Sequence, residues 1–184
     1  CPEYVTNALR TAVRRYEALN KNDKNSEGYK RAKGILNNNL IEYSQMKRIK
    51  NWFDTFEGIP EDWDDFKAGS YSSDGNIPKI SGGEFIVGKF EDTLPSFFST
   101  VRPTASIINF DADLYSSTIC AVKYASPVID PQTILIFDEF LMNPNWENDE
   151  YKALEEFCIQ NNYEYEVLAI SFSTKQVAVR LIGI

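Results

Sequence analysis

Two short runs constrain this chain more than anything else in it: Ser106-Ile107-Ile108-Asn109-Phe110 and Thr133-Ile134-Leu135-Ile136-Phe137. Both are too short for a helix and rich in β-branched and aromatic residues. They read as strands covered on both faces, the kind found in parallel α/β sheets. Each run ends in acids, Asp111-Ala112-Asp113 after the first and Asp138-Glu139 after the second. The carboxyl ends of such strands are where open α/β sheets bind ligands. If the two strands are neighbours, about 4.8 Å apart, Asp111, Asp138 and Glu139 converge into a cluster that suits a divalent cation.

The rest of the chain fits around these two strands. Residues 3–20 carry helical apolar spacing (Val5, Leu9, Ala12, Val13, Tyr16, Leu19), and Glu27 to Arg48 is a poorer helix broken by Gly34 and Asn37-Asn38-Asn39. We read 1–48 as an N-terminal helical segment and 49–184 as an α/β domain. Ile49 to Phe53 is a short strand delivering Asp54. Glu57 to Gly83 is irregular but rich in aromatics (Trp63, Phe66, Tyr71), which suits a substrate-side loop or lid. Strands are expected at Glu84–Lys89, Ala105–Asp111 and Thr133–Asp138. Helices are expected at Thr93–Thr100, Ser116–Ala125 and Asn148–Asn161, with Leu154, Phe157 and Cys158 on the core side of the last. Tyr165–Phe172 and Gln176–Ile182, joined by Ser173-Thr174-Lys175, form an antiparallel hairpin. The sheet is thus mostly parallel with an antiparallel C-terminal edge.

Composition excludes several chemistries. There is no histidine, so Ser-His-Asp and Cys-His catalysis and histidine-based zinc sites are ruled out. Acid–base work falls to carboxylates, lysine, tyrosine or metal-bound oxygen. A net charge of −8 with no basic stripe argues against nucleic acid as a partner. No apolar run is long enough to span a bilayer. Cys1, Cys120 and Cys158 lack metal-ligand spacing, and free thiols in a reducing cytoplasm are expected.

Four segments then carry a specific resemblance. Phe53-Asp54-Thr55-Phe56-Glu57-Gly58-Ile59-Pro60-Glu61-Asp62-Trp63, Gly88-Lys89-Phe90-Glu91-Asp92-Thr93-Leu94-Pro95, Asp111-Ala112-Asp113-Leu114-Tyr115-Ser116-Ser117-Thr118 and Phe137-Asp138-Glu139-Phe140 resemble, in order, four motifs of the macrocin O-methyltransferase family. The resemblance implies a Rossmann-like class I methyltransferase fold. It also implies S-adenosylmethionine as methyl donor, magnesium or another divalent cation, and a hydroxylated small molecule such as a sugar or natural product as acceptor. Asp111, Asp138 and Glu139 would be metal ligands, and Asp54 would bind the cofactor's ribose hydroxyls. Gly88 and Asp111 would border the cofactor. Asp111 and Asp113 would be catalytic, Asp113 helping to deprotonate the acceptor.

One element of the family is missing. No strand followed by a glycine-rich turn precedes Ile49, although in the family that strand is central and cradles the methionine part of the cofactor. Three readings stay open: the chain is part of a longer protein, the N-terminal helices replace the strand, or cofactor binding is lost. In the last case the chain is a non-catalytic binding protein. An unfilled sheet position would also favour a homo-oligomer.

Plainer roles compete at several positions. Asp111, Asp113 and Asp138 can serve as helix caps, and Asp54 as a loop-forming aspartate. Thr93-Leu94-Pro95 reads as a structural turn. Trp146 borders the pocket or shields the sheet end. Glu147, Asp149, Glu150, Glu155 and Glu156 read as a solvated helix face.

Overall fold

A computed structural model describes residues 51–80 and 83–183; the expected helical segment 1–48 lies outside them. In chain order the elements are β1 (Asn51–Asp54), β2 (Glu84–Val87), α1 (Phe90–Phe97), β3 (Ile107–Phe110), α2 (Tyr115–Ala125), β4 (Ile134–Phe137), α3 (Glu150–Asn161), β5 (Glu164–Ile170) and β6 (Val177–Ile182). This is an α/β fold with mixed sheets. β1 and β2 pair in parallel, and a second sheet has the order β3-β4-β6-β5. Within it β3 and β4 are parallel, while β6 runs antiparallel to both β4 and β5. The expected antiparallel C-terminal edge is therefore present. Among the described residues no strand joins β1 to β3, which leaves the sheet in two pieces where a missing central strand was expected.

That break changes how β3 is covered. β4, with partners on both sides, buries Leu135 and Phe137 completely. β3 ends its sheet among the described residues, and its Asn109 faces solvent while Ile107 and Ile108 are only half-buried. Its apolar run is not covered on both faces as its sequence suggested. Among the described residues β3 has a strand neighbour on one side only, and it is less buried than β4.

The core lies where α2 and α3 pack on the larger sheet, around Val122, Leu135, Phe137, Phe140, Leu154, Phe157 and Val179. Leu154, Phe157 and Cys158 face it as their spacing predicts. α3 ends at Asn162 in the left-handed conformation, with Tyr163 N–H donating to the Cys158 carbonyl at 2.9 Å. Asparagine tolerates that conformation, so the helix stops there. Both described cysteines, Cys120 and Cys158, are free. No helix among the described residues is long and apolar enough to cross a membrane.

Thr93-Leu94-Pro95, expected as a turn, lies inside α1. The Thr93 hydroxyl donates to the Lys89 carbonyl at 2.9 Å, and Phe98 N–H closes on the Leu94 carbonyl. Pro95 lies in the last turn of this eight-residue helix, where its missing N–H removes a single bond, to the carbonyl four residues back.

Candidate active site

Register builds the site. Phe110 of β3 pairs with Phe137 of β4, and the two rings stack at 4.9 Å. Asp138 N–H then donates to the Phe110 carbonyl at 3.0 Å. The two acidic segments leave the sheet side by side, as adjacent parallel strands require. Asp111, Asp113, Asp138 and Glu139 enter a single cleft of about 1240 Å³. Asp54, at the end of β1, reaches it from the smaller sheet, and Lys89, Trp63, Phe66, Tyr71 and Cys120 of α2 also line it. Gly88 is placed differently: its N–H donates to the Asp54 carbonyl at 3.0 Å, so it shapes the end of β2 beneath the cleft.

The acids sense one another. Asp111 keeps an open face to the cleft, yet partial loss of water raises its carboxyl to about 6, with Asp138, Glu139 and Asp54 adding repulsion. Asp113 is also raised to about 6, again chiefly by burial, then by Asp111, Glu139 and Asp138, while Lys175 pulls the other way. Burial and neighbouring negative charge both favour the neutral acid.

Asp113 is not a helix cap. Its φ is +56°, and Leu114 N–H turns back to the Ala112 carbonyl, so the chain bends tightly around it. α2 starts from Leu114 with no side-chain cap. Asp64, Tyr71, Met142 and Lys175 also have positive φ and line the same cleft. Left-handed backbone at a non-glycine residue costs about 1–3 kcal/mol and gathers at functional sites.

The irregular stretch after β1 forms a wall tied down at several points. Trp63 is buried with Ile59 and Leu114, and its Nε1–H donates to Asp149 Oδ2 at 3.1 Å. Asn145 donates to Asp64 at 2.7 Å, and the Ser116 hydroxyl donates to Glu61. Gly58 lets the wall fold back on itself. Its φ is +87°, Ile59 N–H meets the Ser70 carbonyl at 3.0 Å, and a side chain at 58 would run into that carbonyl. Asn143 and Pro144 line the cleft, whereas Trp146 packs on Tyr151 at 5.1 Å and shields the sheet end.

Three contributors escaped the sequence reading. Lys175 and Gln176, in the turn between β5 and β6, reach the acids. Lys175 Nζ lies 2.8 Å from Glu139 Oε2 and 2.6 Å from Asn143 Oδ1, and Gln176 Nε2 donates to Asp138. Glu150 was expected on a solvated face but is fully buried, and neighbouring Asp149 is 9% exposed. Burial raises the Glu150 carboxyl well above the ordinary carboxylate range, the bond from Ala112 N–H opposes this, and Asp113, Asp111 and Asp138 add to it. The two outer acids of this helix do meet solvent, yet each accepts a tyrosine hydroxyl, Glu155 from Tyr165 and Glu156 from Tyr115. The signal was available in principle, since Glu150 falls one turn before Leu154 on the core face.

The donor set does not suit magnesium as it stands. Among the described residues no three acidic or thiol groups lie close enough to hold a metal ion. Asp138 and Glu139 instead hold Gln176 and Lys175. A cation would gain them only by displacing these two side chains. Replacing Lys175 with alanine is therefore expected to tighten Mn²⁺ binding about tenfold, equivalent to ~1.4 kcal/mol. Titration followed by electron paramagnetic resonance reads this directly. Equal affinity in both proteins would show that the ammonium does not guard the pair.

No protein-family profile matches the chain, and no curated protein matches it. Solved structures do. The O-methyltransferase NovP is similar at a TM-score of 0.54 and 20% identity, over 77% of this chain and 63% of NovP. The calicheamicin methyltransferase CalS11 is similar at 0.51 and 19%, over 71% of this chain and 59% of CalS11. The chain thus spans about three-fifths of the length of these two structures. At these identities the likeness is one of fold, shared with these two structures.

Proposed function

We propose that this chain is an S-adenosylmethionine-dependent O-methyltransferase domain acting on a hydroxyl of a sugar or small natural product. The observation that carries this reading is the single cleft at the strand ends into which Asp54, Asp111, Asp113, Asp138 and Glu139 all open. The macrocin-family motifs supply those same residues.

S-adenosylmethionine supplies a methyl group on a positively charged sulfur. The acidic lining suits that charge, and its volume of about 1240 Å³ exceeds the roughly 300–1,000 Å³ of a one-ligand pocket, leaving room for an acceptor alongside. Asp54 would accept from the ribose hydroxyls; its Oδ1 is already fixed by Phe56 N–H at 2.7 Å. Asp113, ionised, would take the proton of the acceptor hydroxyl as that oxygen bonds the methyl carbon and the carbon–sulfur bond breaks, S-adenosylhomocysteine being the leaving group. Asp111 favours positive charge at the reaction centre. Trp63, Phe66 and Tyr71 give the acceptor an apolar wall, and the carboxylate excess favours a neutral or cationic polyhydroxylated molecule.

A second reading, a binding protein that keeps the fold without the cofactor, is favoured by the absence of a glycine-rich turn before Ile49. Calorimetric titration with S-adenosylhomocysteine separates the two. The transferase reading expects a Kd below about 100 μM. No heat of binding at millimolar ligand would leave the binding-protein reading standing.

A further inference from the structure

Glu150 is the first residue of α3, and its side chain has no exposure to solvent. A buried carboxylate is costly unless its oxygens are matched by donors. Here each oxygen has one. Oε1 accepts the Ala112 N–H at 3.3 Å, and Oε2 accepts the Glu139 N–H at 3.2 Å. Ala112 lies between Asp111 and Asp113, and Glu139 directly follows Asp138. One side chain therefore bonds to the backbone of both acidic segments at once, from a third element 11 residues beyond the second and 38 beyond the first.

We propose that Glu150 is a positioning residue for the reaction at this rim, setting the Asp111–Asp113 turn and the Asp138–Glu139 turn at a fixed separation. The inference rests on the transferase reading for its chemical consequence but not for its geometry. Backbone pairing between β3 and β4 ends at the Asp138 N–H, so beyond that point no ladder holds the two turns together. The turn at Asp113 also has the unfavourable backbone noted above, which persists only when its surroundings hold it. An apolar residue at 150 would fill the space but leave two N–H groups without acceptors. The neighbouring Asp149 holds Trp63 of the cleft wall, so the start of α3 anchors three sides of the cleft through two successive acids.

Two variants test this. In Glu150→Gln the side chain keeps its size, but only its oxygen accepts, so one N–H loses its partner. In Glu150→Asp the chain is one methylene shorter and reaches one turn only. Both are expected to lower kcat about 10- to 100-fold, with KM for S-adenosylmethionine within about twofold, because small misplacements near a reacting centre cost that much. A residue that merely stabilised the fold would reduce the amount of folded enzyme without moving kcat per folded molecule.

Hydrogen–deuterium exchange gives a readout independent of turnover. Exchange should rise in both variants over residues 111–114 and 138–141 together, with β3 and β4 still protected. Unchanged kcat per folded molecule in both variants, or faster exchange confined to α3, overturns the proposal. If one variant fails to fold, the other decides. If wild-type protein neither binds S-adenosylhomocysteine nor turns over, the transferase reading fails by itself. The paired exchange response then supports the positioning role on geometry alone, and its absence overturns it.

Discussion

Replacing Asp113 with asparagine is expected to lower kcat by about 10²- to 10⁴-fold, the range for loss of a general base, and to leave S-adenosylhomocysteine affinity nearly unchanged. Asparagine is close in size and tolerates the left-handed backbone that Asp113 adopts at φ +56°. The turn should therefore survive while its proton acceptor disappears. Steady-state kinetics with calorimetry separate the two effects. In the wild type, kcat should rise with pH through about 6, the value to which burial and the surrounding acids bring Asp113, because the ionised form does the work. Asp111 is brought to the same value, so the limb reports the coupled pair rather than one residue. A kcat for Asp113→Asn within threefold of wild type would end its role as base.

Phe137→Ala should have the largest effect on stability, a loss of about 3–5 kcal/mol. Phe137 is fully buried at the end of β4, stacks on Phe110 at 4.9 Å and touches Phe140 at 5.2 Å. It is also paired across β6 with Val177. Few neighbours can move into the space without breaking a strand pair, so the cavity should persist. Domains of this size are typically stable by only about 5–15 kcal/mol, so the loss takes a large share. Urea denaturation measures it, and Phe137→Leu, which keeps most of the volume, should cost less than about 1.5 kcal/mol. Equal losses in the two variants would mean that the packing around Phe137 is not what holds this corner.

The sequence reading succeeded where chemistry is local. β3, β4 and the C-terminal hairpin follow from short apolar and β-branched runs, and the acids that follow β3 and β4 share a cleft because register carries them there. It failed where a side chain answers to something distant. Glu150 looks in sequence like the other acids of this segment, Glu155 and Glu156, and only the fold reveals that the first turn of that helix abuts two backbone N–H groups. Lys175 and Gln176 meet the acids because Val177 pairs with Phe137. Strand register across a long connection is not written in either strand alone. The expected magnesium cluster is not assembled among the described residues, because Gln176 and Lys175, from that distant turn, bond to Asp138 and Glu139. Trp63, expected in a substrate-side loop, is a buried anchor whose indole N–H donates to Asp149, 86 residues away.

The hairpin that brings Lys175 to Glu139 has a consequence during synthesis. The two residues are 36 positions apart. At about 5–20 residues per second, the ribosome needs roughly 2–7 s to bridge that interval. Throughout it Glu139 lacks the ammonium that it meets in the folded chain. That contact can form only after the last hairpin has been made, so the charge balance of the rim is the last part of the cleft to be completed.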